Sequence, residues 1–489
     1  MSITDMASII VYDYLWGMPL VVIILAIGFY ITVRSGFFQI TGFKIAMKHA
    51  IDSILGKDKA GGKEAGVVSP FEAMSVALGT TIGVGNIGGV ATAIAIGGPG
   101  AIFWMWIAAL CGLIVKVAEI TLAVYYRSKD MNNEAYGGPN YYMKKGIGHE
   151  KKMPVLAKVL SFIFAFGFLT GYFINIQTYT VSEAVANTFN FSMVGVAVFY
   201  TVILYMMISG GVSSLGRIAA KIVPFMCIFY LVGGVVIILK NITALPSAFG
   251  MIFGSAFTGT AAAGGFVGAT FSQAIKLGMS RSVFSNEAGW GSAPMIHASA
   301  KVDHPVKQGL MGIFEVFIDT FVICSITALV VIITGEWSNG LDGATLTLSA
   351  FETGLGRPGR IILAIGVFLF GVTTSSGVYA QIEVVVRYLI GETPKKDAIL
   401  SFYKWTYPIP SLLMVIIAVY YGFPGATLWI FSDASTALPI FANIIALFVL
   451  FPKFKELLQD YKARYLGVGK VKSGFRVFYE DEGTKVKSE

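Results

Sequence analysis

The chain has 489 residues, of which 13% are Asp, Glu, Lys or Arg and 55% are hydrophobic. Soluble domains carry about 25% charged residues, whereas the mean hydropathy here is +0.73. These values exclude a soluble globular enzyme and a disordered chain. The net charge of +8 indicates basic loops on the cytoplasmic side rather than a nucleic-acid-binding surface. The three cysteines lie in apolar runs, so we predict neither a disulfide scaffold nor a zinc site.

Eleven apolar runs are long enough to cross a bilayer, since a helical span needs about 20 residues. They lie at about 12–33, 71–97, 101–126, 157–187, 192–210, 218–239, 252–275, 309–334, 360–386, 405–421 and 427–451. Open strands cannot cross lipid, so all are predicted to be helices. Basic residues concentrate in alternate loops, which places the N-terminus outside and the C-terminus in the cytoplasm. We predict an all-α, multi-pass protein of the cell membrane with about 11 transmembrane helices.

Two of these spans contain glycine clusters, at residues 79–89 and 259–268. Each glycine in a helix interior costs about 1 kcal/mol relative to alanine. Without the first span, the other ten form two sets of five, each beginning with a glycine-rich span. That arrangement is typical of an inverted-repeat transporter with discontinuous helices. Glycine-mediated helix packing is the alternative, but it does not explain two matched clusters.

The same pattern divides the chain into four parts. We predict a peripheral helix and loop over residues 1–69, two five-helix repeats over 70–240 and 241–452, and a cytoplasmic tail over 453–489.

Unwound turns within a bilayer free backbone groups that need partners. Helix N-termini suit a carboxylate, and freed carbonyl oxygens suit a hard cation such as Na⁺. We therefore expect a substrate with a carboxylate, transported together with a cation. Thr373 and Thr374 belong to a run of four hydroxyl residues in the ninth span, and they are the predicted Na⁺ ligands in that span.

Other polar residues near the spans' centres are candidates for the site. Asn86 follows the first glycine cluster and either binds Na⁺ or braces the unwound turn. Thr80 and Thr81 lie inside that cluster, where a hydroxyl can coordinate an ion or cap a helix. Gln177 lies in the fourth span, where an unbonded amide is costly. We predict that Gln177 contacts substrate, with interhelical hydrogen bonding as the alternative.

Ionisable residues inside the spans are predicted to be mainly structural. Lys116 and Glu119 are three residues apart and share a helix face, so we expect them to pair with each other. Asp319 lies deep in the eighth span and either holds a proton or cation or bonds to neighbouring helices. His297 and His304 lie in a polar loop, so no proton relay through them is expected.

Three motifs resemble the signatures of the alanine or glycine:cation symporter family. They are GVGNI at 83–87, GGPGAIFWMW at 97–106 and FSNEAGWGSAP at 284–294. The resemblance extends over about residues 10–452. It implies a LeuT-type 5+5 inverted repeat with one extra N-terminal helix. It also implies Na⁺-coupled, occasionally H⁺-coupled, uptake of small neutral amino acids.

The resemblance also implies a set of site residues. By position, substrate contacts fall on Thr80, Thr81, Gly83, Gln177, Gly264, Gly265, Phe266, Thr374 and Val378. The predicted Na⁺ ligands are the carbonyls of Gly79 and Ile82, with Asn86, Thr373 and Thr374. No further cofactor and no obligate protein partner are predicted; the expected partners are the amino acid, Na⁺ and membrane lipid.

One position departs from the family pattern in a way that bears on selectivity. Val378 stands where the family often has a tryptophan that closes the pocket. Without that indole the substrate pocket is larger, so we predict a roomier site that also takes a larger neutral amino acid such as glutamine. The alternatives are a proton-coupled permease of the same fold or a non-transporting sensor. A channel needs a continuous polar lining, and an enzyme needs a nucleophile–base pair that we do not find.

Overall fold

The computed structural model describes residues 6–7, 9–57, 68–129, 135–258, 271–423 and 425–479. These residues are almost entirely helical, apart from an antiparallel pair of two-residue strands, β1 (Ser128–Lys129) and β2 (Ala135–Tyr136). The helices of the first half are α1 (Met18–Arg34), α2 (Phe38–Thr41), α3 (Phe43–Ile54), α4 (Pro70–Thr81), α5 (Val90–Gly97), α6 (Gly100–Tyr125), α7 (Pro139–Tyr142), α8 (Pro154–Phe173), α9 (Ile176–Phe189), α10 (Met193–Ile208) and α11 (Gly211–Lys240).

The second half continues in the same manner. Its helices are α12 (Leu245–Thr258), α13 (Phe271–Asn286), α14 (Ala293–His297), α15 (Pro305–Val316), α16 (Ser325–Ile333), α17 (Gly343–Leu355), α18 (Arg357–Ile390), α19 (Lys396–Thr406), α20 (Pro408–Tyr421) and α21 (Gly425–Tyr465). Short π-helical segments lie at Ile10–Leu15, Gly85–Gly89, Met143–Glu150 and Phe317–Cys324, and 3₁₀ turns at Ile242–Ala244 and Glu336–Ser338.

The lengths of these helices fit a protein that crosses a membrane many times. Within the described residues, eight helices are long and apolar enough to span a bilayer, and the bent pair Pro70–Thr81 and Gly85–Gly97 makes a ninth. Two shorter apolar helices, Met193–Ile208 and Ile242–Thr258, accompany them. The chain is a multi-pass membrane protein.

The first glycine cluster interrupts its span, as predicted. Ser69 and Glu72 form a reciprocal cap at the start of α4, which is the sequence signature of a helix N-terminus. The helix ends at Thr81, and Ile82 takes an extended backbone with φ −81° and ψ 92°. A π-helical turn at Gly85–Gly89 then leads into α5, at 43° to α4. We call residues 82–84 the first interruption.

A second interruption separates α13 from α14, at residues 287–292. Glu287, Gly289 and Gly291 have φ values of 57°, 84° and 83°, in the left-handed region that favours glycine. It lies inside the bundle, because a Cβ on Gly289 would be 2.9 Å from Ile444 and one on Gly291 would be 2.5 Å from Pro139. The motif at 284–294 was predicted to lie between two spans, and its sequence gave no indication that this turn is buried inside the bundle.

The glycine cluster predicted to interrupt the seventh span, at 259–268, lies outside the described residues. Its described flanks both pack near the turn between α5 and α6. A Cβ on Gly100 would lie 2.5 Å from the backbone of Ser255, and one on Gly97 would lie 3.4 Å from the Cα of Ala274. From that end, α13 runs back along the first interrupted span, so that Ser285 is beside Gly85. The chain just before the second interruption therefore lies next to the chain just after the first.

A short parallel bridge ties the two interrupted elements together where α4 begins. The Val68 amide donates to the Ser299 carbonyl, and the Lys301 amide donates to the Val68 carbonyl at 3.0 Å. We call this region the Pro70 end of the bundle. The chain after α21 folds back towards it, with the Tyr479 amide donating to the Tyr125 carbonyl at 3.0 Å.

Candidate functional site

The first interruption packs tightly against the middle of α18. The Thr374 hydroxyl donates to the Gly79 carbonyl at 3.0 Å and lies 3.4 Å from the Thr80 carbonyl. A Cβ on Gly83 would lie 2.4 Å from that hydroxyl, and one on Gly377 would lie 1.9 Å from the Thr80 methyl carbon. Glycine is therefore required at both contacts. The structure brings together four predicted site residues: Gly79, Thr80, Gly83 and Thr374.

The other predicted residues of this junction are buried nearby. Thr373 lies against Gly79, but its hydroxyl donates to the carbonyls of Leu369 and Phe370 in its own helix. The Thr80 and Thr81 hydroxyls both donate to the Ala77 carbonyl, at 2.6 and 2.7 Å. Val378 is half-buried on α18, four residues after Thr374 and hence on the same face of the helix.

Asn86 braces the first interruption. Its side-chain oxygen accepts from the Gly83 amide at 2.8 Å, and its nitrogen donates to the Asp319 carboxylate at 2.5 Å. Asp319 also accepts from the hydroxyls of Ser285 and Thr320. Of the roles weighed for these two residues, the structure shows bracing by Asn86 and interhelical bonding by Asp319. Binding of Na⁺ by Asn86 stays a prediction.

Gln177 lies close to a further break, between α8 and α9. Asn175 caps α9 by accepting from the Gln177 amide, and its side-chain nitrogen donates to the hydroxyls of Ser375 and Tyr407. Gln177 itself is 8% exposed, and its carboxamide makes no hydrogen bond within the described part of the chain. The two helices still belong to one apolar span, Pro154–Phe189, in agreement with the single span predicted at 157–187.

The predicted pairing of Lys116 with Glu119 is wrong. The Lys116 ammonium donates to the Asn286 carbonyl at 2.8 Å and lies 3.8 Å from Glu315. Glu119 instead accepts from the Gly289 amide at 3.3 Å. The second interruption leaves backbone carbonyl and N–H groups without helical partners. The Lys116 ammonium therefore binds a carbonyl oxygen, and the Glu119 carboxylate binds an N–H group.

Asn443 completes this arrangement from α21. Its nitrogen donates to Glu119 at 3.0 Å and to the Gly289 carbonyl at 2.9 Å, while its oxygen accepts from the Tyr142 hydroxyl. Asn443 was not predicted, although an asparagine in an apolar span is itself an indication of hydrogen bonding.

The polar loop expected around His297 and His304 is also corrected, because both side chains are fully buried. His297 ends α14 and faces Glu315, at 2.6 Å between Nε2 and Oε1. His304 caps α15 by accepting from the Val306 amide. Burial lowers the pKa of His304 to about 4, so this imidazole is neutral at neutral pH.

A buried ion pair that sequence analysis missed joins α13 to α21. Arg281 and Asp433 lie 2.7 Å apart with no side-chain exposure, and the guanidinium stacks over Trp429. The segment before α1 supports the pair, since the Tyr12 hydroxyl donates to the Asp433 carboxylate at 2.8 Å and the Trp16 indole donates to the backbone carbonyl of the same residue at 2.9 Å. A lone aspartate in the last apolar run was the signal for it.

The chemistry of the donor atoms at the first interruption suits one class of ion better than another. Among the described residues, no three His, Cys, Asp or Glu side chains are grouped to hold a metal ion. The oxygens gathered at the first interruption are carbonyls and hydroxyls, which suit a hard cation and do not suit a soft transition metal.

Comparison with known proteins identifies the family of the chain. The sequence profile of the sodium:alanine symporter family matches residues 1–472. The chain is 40% identical over 396 residues to the sodium/alanine symporter AgcS of Methanococcus maripaludis, covering 79% of this chain and 84% of that protein. It is 39% identical to an uncharacterized transporter of Haemophilus influenzae, over 92% of this chain and 95% of that protein. It is 35% identical to GlnT of Bacillus subtilis, which is named a probable sodium/glutamine symporter, over 96% of this chain and 92% of that protein. The family and these relatives are transporters, and this chain belongs to the sodium:alanine symporter family.

Proposed function

We propose that the chain is a Na⁺-coupled symporter that imports small neutral amino acids by alternating access. The observation that carries this proposal is the contact between the Thr374 hydroxyl and the Gly79 carbonyl. Two oxygens on different helices meet there at an interrupted span. In the proposal, Na⁺ takes the place of this hydrogen bond and is bound by oxygens of Gly79, Ile82, Thr373 and Thr374.

The substrate is proposed to bind beside this ion. The first interruption ends one helix and begins another, so its backbone can donate to a carboxylate. Thr80, Thr81 and Gly83 line that turn, and the Gln177 carboxamide is proposed to reach substrate from the start of α9, where Asn175 caps the Gln177 backbone amide. Val378 and Thr374 then form one face of α18 towards the substrate. Gly264, Gly265 and Phe266 are proposed from the family resemblance alone.

The proposed substrates are alanine and glycine, with glutamine as the larger candidate. Two relatives are named for sodium with alanine and with glutamine. The absence of a tryptophan at Val378 favours the larger substrate.

The proposed fold is a LeuT-type inverted repeat with eleven spans, the first of them outside the repeat. The first interruption supports it, because α4 and α5 are a bent pair within one span, as expected for the first helix of such a repeat. We place the N-terminus outside and the C-terminus in the cytoplasm from the charges of the loops. Movement of the interrupted helices against the other spans then exposes the site alternately to either side.

The test is uptake into proteoliposomes containing the purified full chain. Labelled alanine, glycine and glutamine are supplied with an inward Na⁺ gradient, an inward H⁺ gradient, or neither. We expect saturable accumulation of at least one substrate with the Na⁺ gradient alone. Accumulation with only the H⁺ gradient assigns the proton-coupled permease, and absence of both uptake and counterflow assigns the sensor; either result overturns the proposal.

A further inference from the structure

A large apolar groove lies between α9, α10 and α18 on the surface of the bundle. It encloses about 540 Å³, and Ser192 is the one polar side chain in its lining among the described residues. The groove is wide because two of its lining positions are small, Gly195 on α10 and Ala364 on α18. Its walls include two stacked aromatic pairs, Phe189 with Phe191 and Phe199 with Phe368.

The mouth of the groove is where three helices have their ends. There α9 ends at Phe189, α10 begins at Met193 and α18 begins at Arg357. Phe368 lies eleven residues after Arg357, so at a rise of about 1.5 Å per residue the lining extends about 16 Å along α18. The hydrocarbon core of a bilayer is about 30 Å thick. The groove is therefore about as deep as one leaflet.

Below the groove the same three helices meet directly. A Cβ on Gly371 of α18 would lie 2.2 Å from the Val181 side chain of α9. The Ser375 hydroxyl then contacts the Tyr200 hydroxyl of α10 at 2.7 Å and the Asn175 side-chain nitrogen at 3.3 Å. The groove is thus a wedge that closes next to the predicted Na⁺ ligands of α18.

The surroundings of the groove indicate what fills it. Apolar cavities exclude water, and an empty space loses the dispersion contacts of its lining. Phe191, Phe199 and Ile365 are 63%, 58% and 43% exposed, so the groove opens sideways from the bundle. Lipid acyl chains are the apolar molecules that contact spanning helices at this depth, and they can enter from the side.

A basic rim at the mouth matches the phosphate of such a lipid. Arg357 and Arg360 precede Ala364 by seven and four residues, so they lie on the face of α18 that lines the groove. Arg360 donates to the Asn187 carbonyl at 3.2 Å and pairs with Glu352 at 2.7 Å. Arg357 is exposed and gives these three charged residues an excess of one positive charge. Guanidinium groups bind phosphate oxygens well.

We propose that this groove binds one phospholipid, with an acyl chain between α9, α10 and α18 and the phosphate at Arg357 and Arg360. The chain fills the wedge and so fixes the spacing of the helices above Ser375. The inference goes beyond the proposed function and is independent of which solute the protein carries.

The first experiment locates the lipid. The purified full chain is reconstituted with phosphatidylglycerol that carries a diazirine in one acyl chain, and labelled peptides are identified after illumination. We expect adducts concentrated at 185–199 and 360–368. Gly195→Phe should reduce them about tenfold, because its ring would occupy the groove. A Cβ at this position meets only Ser192, at 3.6 Å, so the substitution does not strain the helix.

The control adds the same ring elsewhere on the surface. Gly171 lies on α8, and a Cβ there would have no atom within 4 Å, so Gly171→Phe should leave the labelling at 185–199 and 360–368 unchanged. Gly195→Leu is the second filling variant if the larger side chain prevents folding. Equal labelling of the Gly195 and Gly171 variants, or adducts spread evenly over the helices, would overturn the proposal.

The second experiment tests recognition of the phosphate. Unlabelled phosphatidylglycerol and a diacylglycerol with the same chains compete with the diazirine probe. We expect the phospholipid to compete about tenfold better, as for the gain of one charge-assisted contact, and Arg357→Gln to remove most of that difference. Lys240→Gln, at an exposed position at the end of α11, is the control. Equal competition by the two lipids in the unmodified chain would contradict a phospholipid site.

Native mass spectrometry of the purified chain distinguishes the other possible occupants. We expect a retained mass of one phospholipid, which Gly195→Phe removes and Gly171→Phe does not. A chain that retains detergent only, or a dimer in place of the lipid adduct, would overturn the proposal. None of these experiments measures uptake, so failure of the lipid site and failure of the proposed function are recognised separately.

Discussion

The two interruptions are held in different ways. At the first, neutral groups close the gap: Thr374 contacts the Gly79 carbonyl, and Asn86 accepts from the Gly83 amide. At the second, Glu119 binds an amide and Lys116 binds a carbonyl. Hydrogen bonds to charged groups are stronger than those between neutral groups. Replacing a protein hydrogen bond by a bound ligand therefore costs less free energy at the first interruption than at the second. We infer that the first interruption exchanges ligands and the second is a fixed framework.

The largest expected effect is loss of the second framework through Gly291→Ala. This residue has φ 83°, which costs an alanine about 1–2 kcal/mol. Its new methyl group would also lie 2.5 Å from Pro139 and 2.8 Å from Phe164. We expect no folded, transport-competent protein, as measured by size-exclusion profile and thermal unfolding in detergent. Gly366→Ala is the control, because its methyl group would meet only an ordinary contact at 3.8 Å; equal behaviour of the two variants would contradict a rigid second interruption.

The next effect is expected from Asn443→Leu. The substitution leaves one oxygen of Glu119, the Gly289 carbonyl and the Tyr142 hydroxyl without their buried partner, at about 1–3 kcal/mol for each unsatisfied group. We expect a clearly lower thermal midpoint but an unchanged Na⁺ half-saturation in the protein that still folds. The exposed Asn187→Leu serves as control. A change in Na⁺ affinity without loss of stability would show that this framework takes part in ligand exchange.

Thr374→Val should weaken Na⁺ binding rather than lower stability, the reverse of the effect expected from Asn443→Leu. It removes the hydroxyl that meets the Gly79 carbonyl but keeps the shape of the side chain. Losing one oxygen ligand to a charged group corresponds to about 1.5–3 kcal/mol, so the Na⁺ concentration for half-maximal uptake should rise about tenfold or more. Thr374→Ser should retain most of the affinity. If valine and serine give the same Na⁺ dependence, the ion does not bind at this junction.

The smallest effect is expected from Val378→Trp, which changes selectivity rather than coupling. An indole on this face of α18 would occupy the proposed side-chain pocket, so glutamine uptake should fall about tenfold relative to alanine. The comparison is made on competition curves at fixed Na⁺, with Val378→Ile as the conservative variant. Equal entry of bulky substrates into both variants would remove the argument for a roomier pocket.

Sequence reasoning found the first interruption because its cause is local. Glycines within an apolar span weaken the helix directly, and a hydroxyl run such as Thr373 and Thr374 is visible without any tertiary contact. The contact between Thr374 and Gly79 then agrees with the residues predicted to meet there.

The second interruption could not be found in that way because its cause is distant in sequence. Glu287 takes a left-handed backbone that its residue type disfavours, and residues from α6 and α21 satisfy the neighbouring peptide groups. The pairing of Lys116 with Glu119 was wrong for the same reason, since helix spacing says nothing about bare backbone groups on another element. Counting glycines therefore predicts where a helix is weak, but not where the packed protein supports an unwound turn.

The N-terminal segment before α1 limits how the carrier can be shortened. Tyr12 supplies a hydrogen bond to the carboxylate of Asp433, the buried partner of Arg281, and Trp16 binds the backbone carbonyl of the same residue. A shortened carrier beginning at α4, designed as a minimal ten-helix scaffold, would leave that aspartate incompletely solvated in the bilayer. Chimeras between relatives should therefore exchange the N-terminal segment and α21 as one unit.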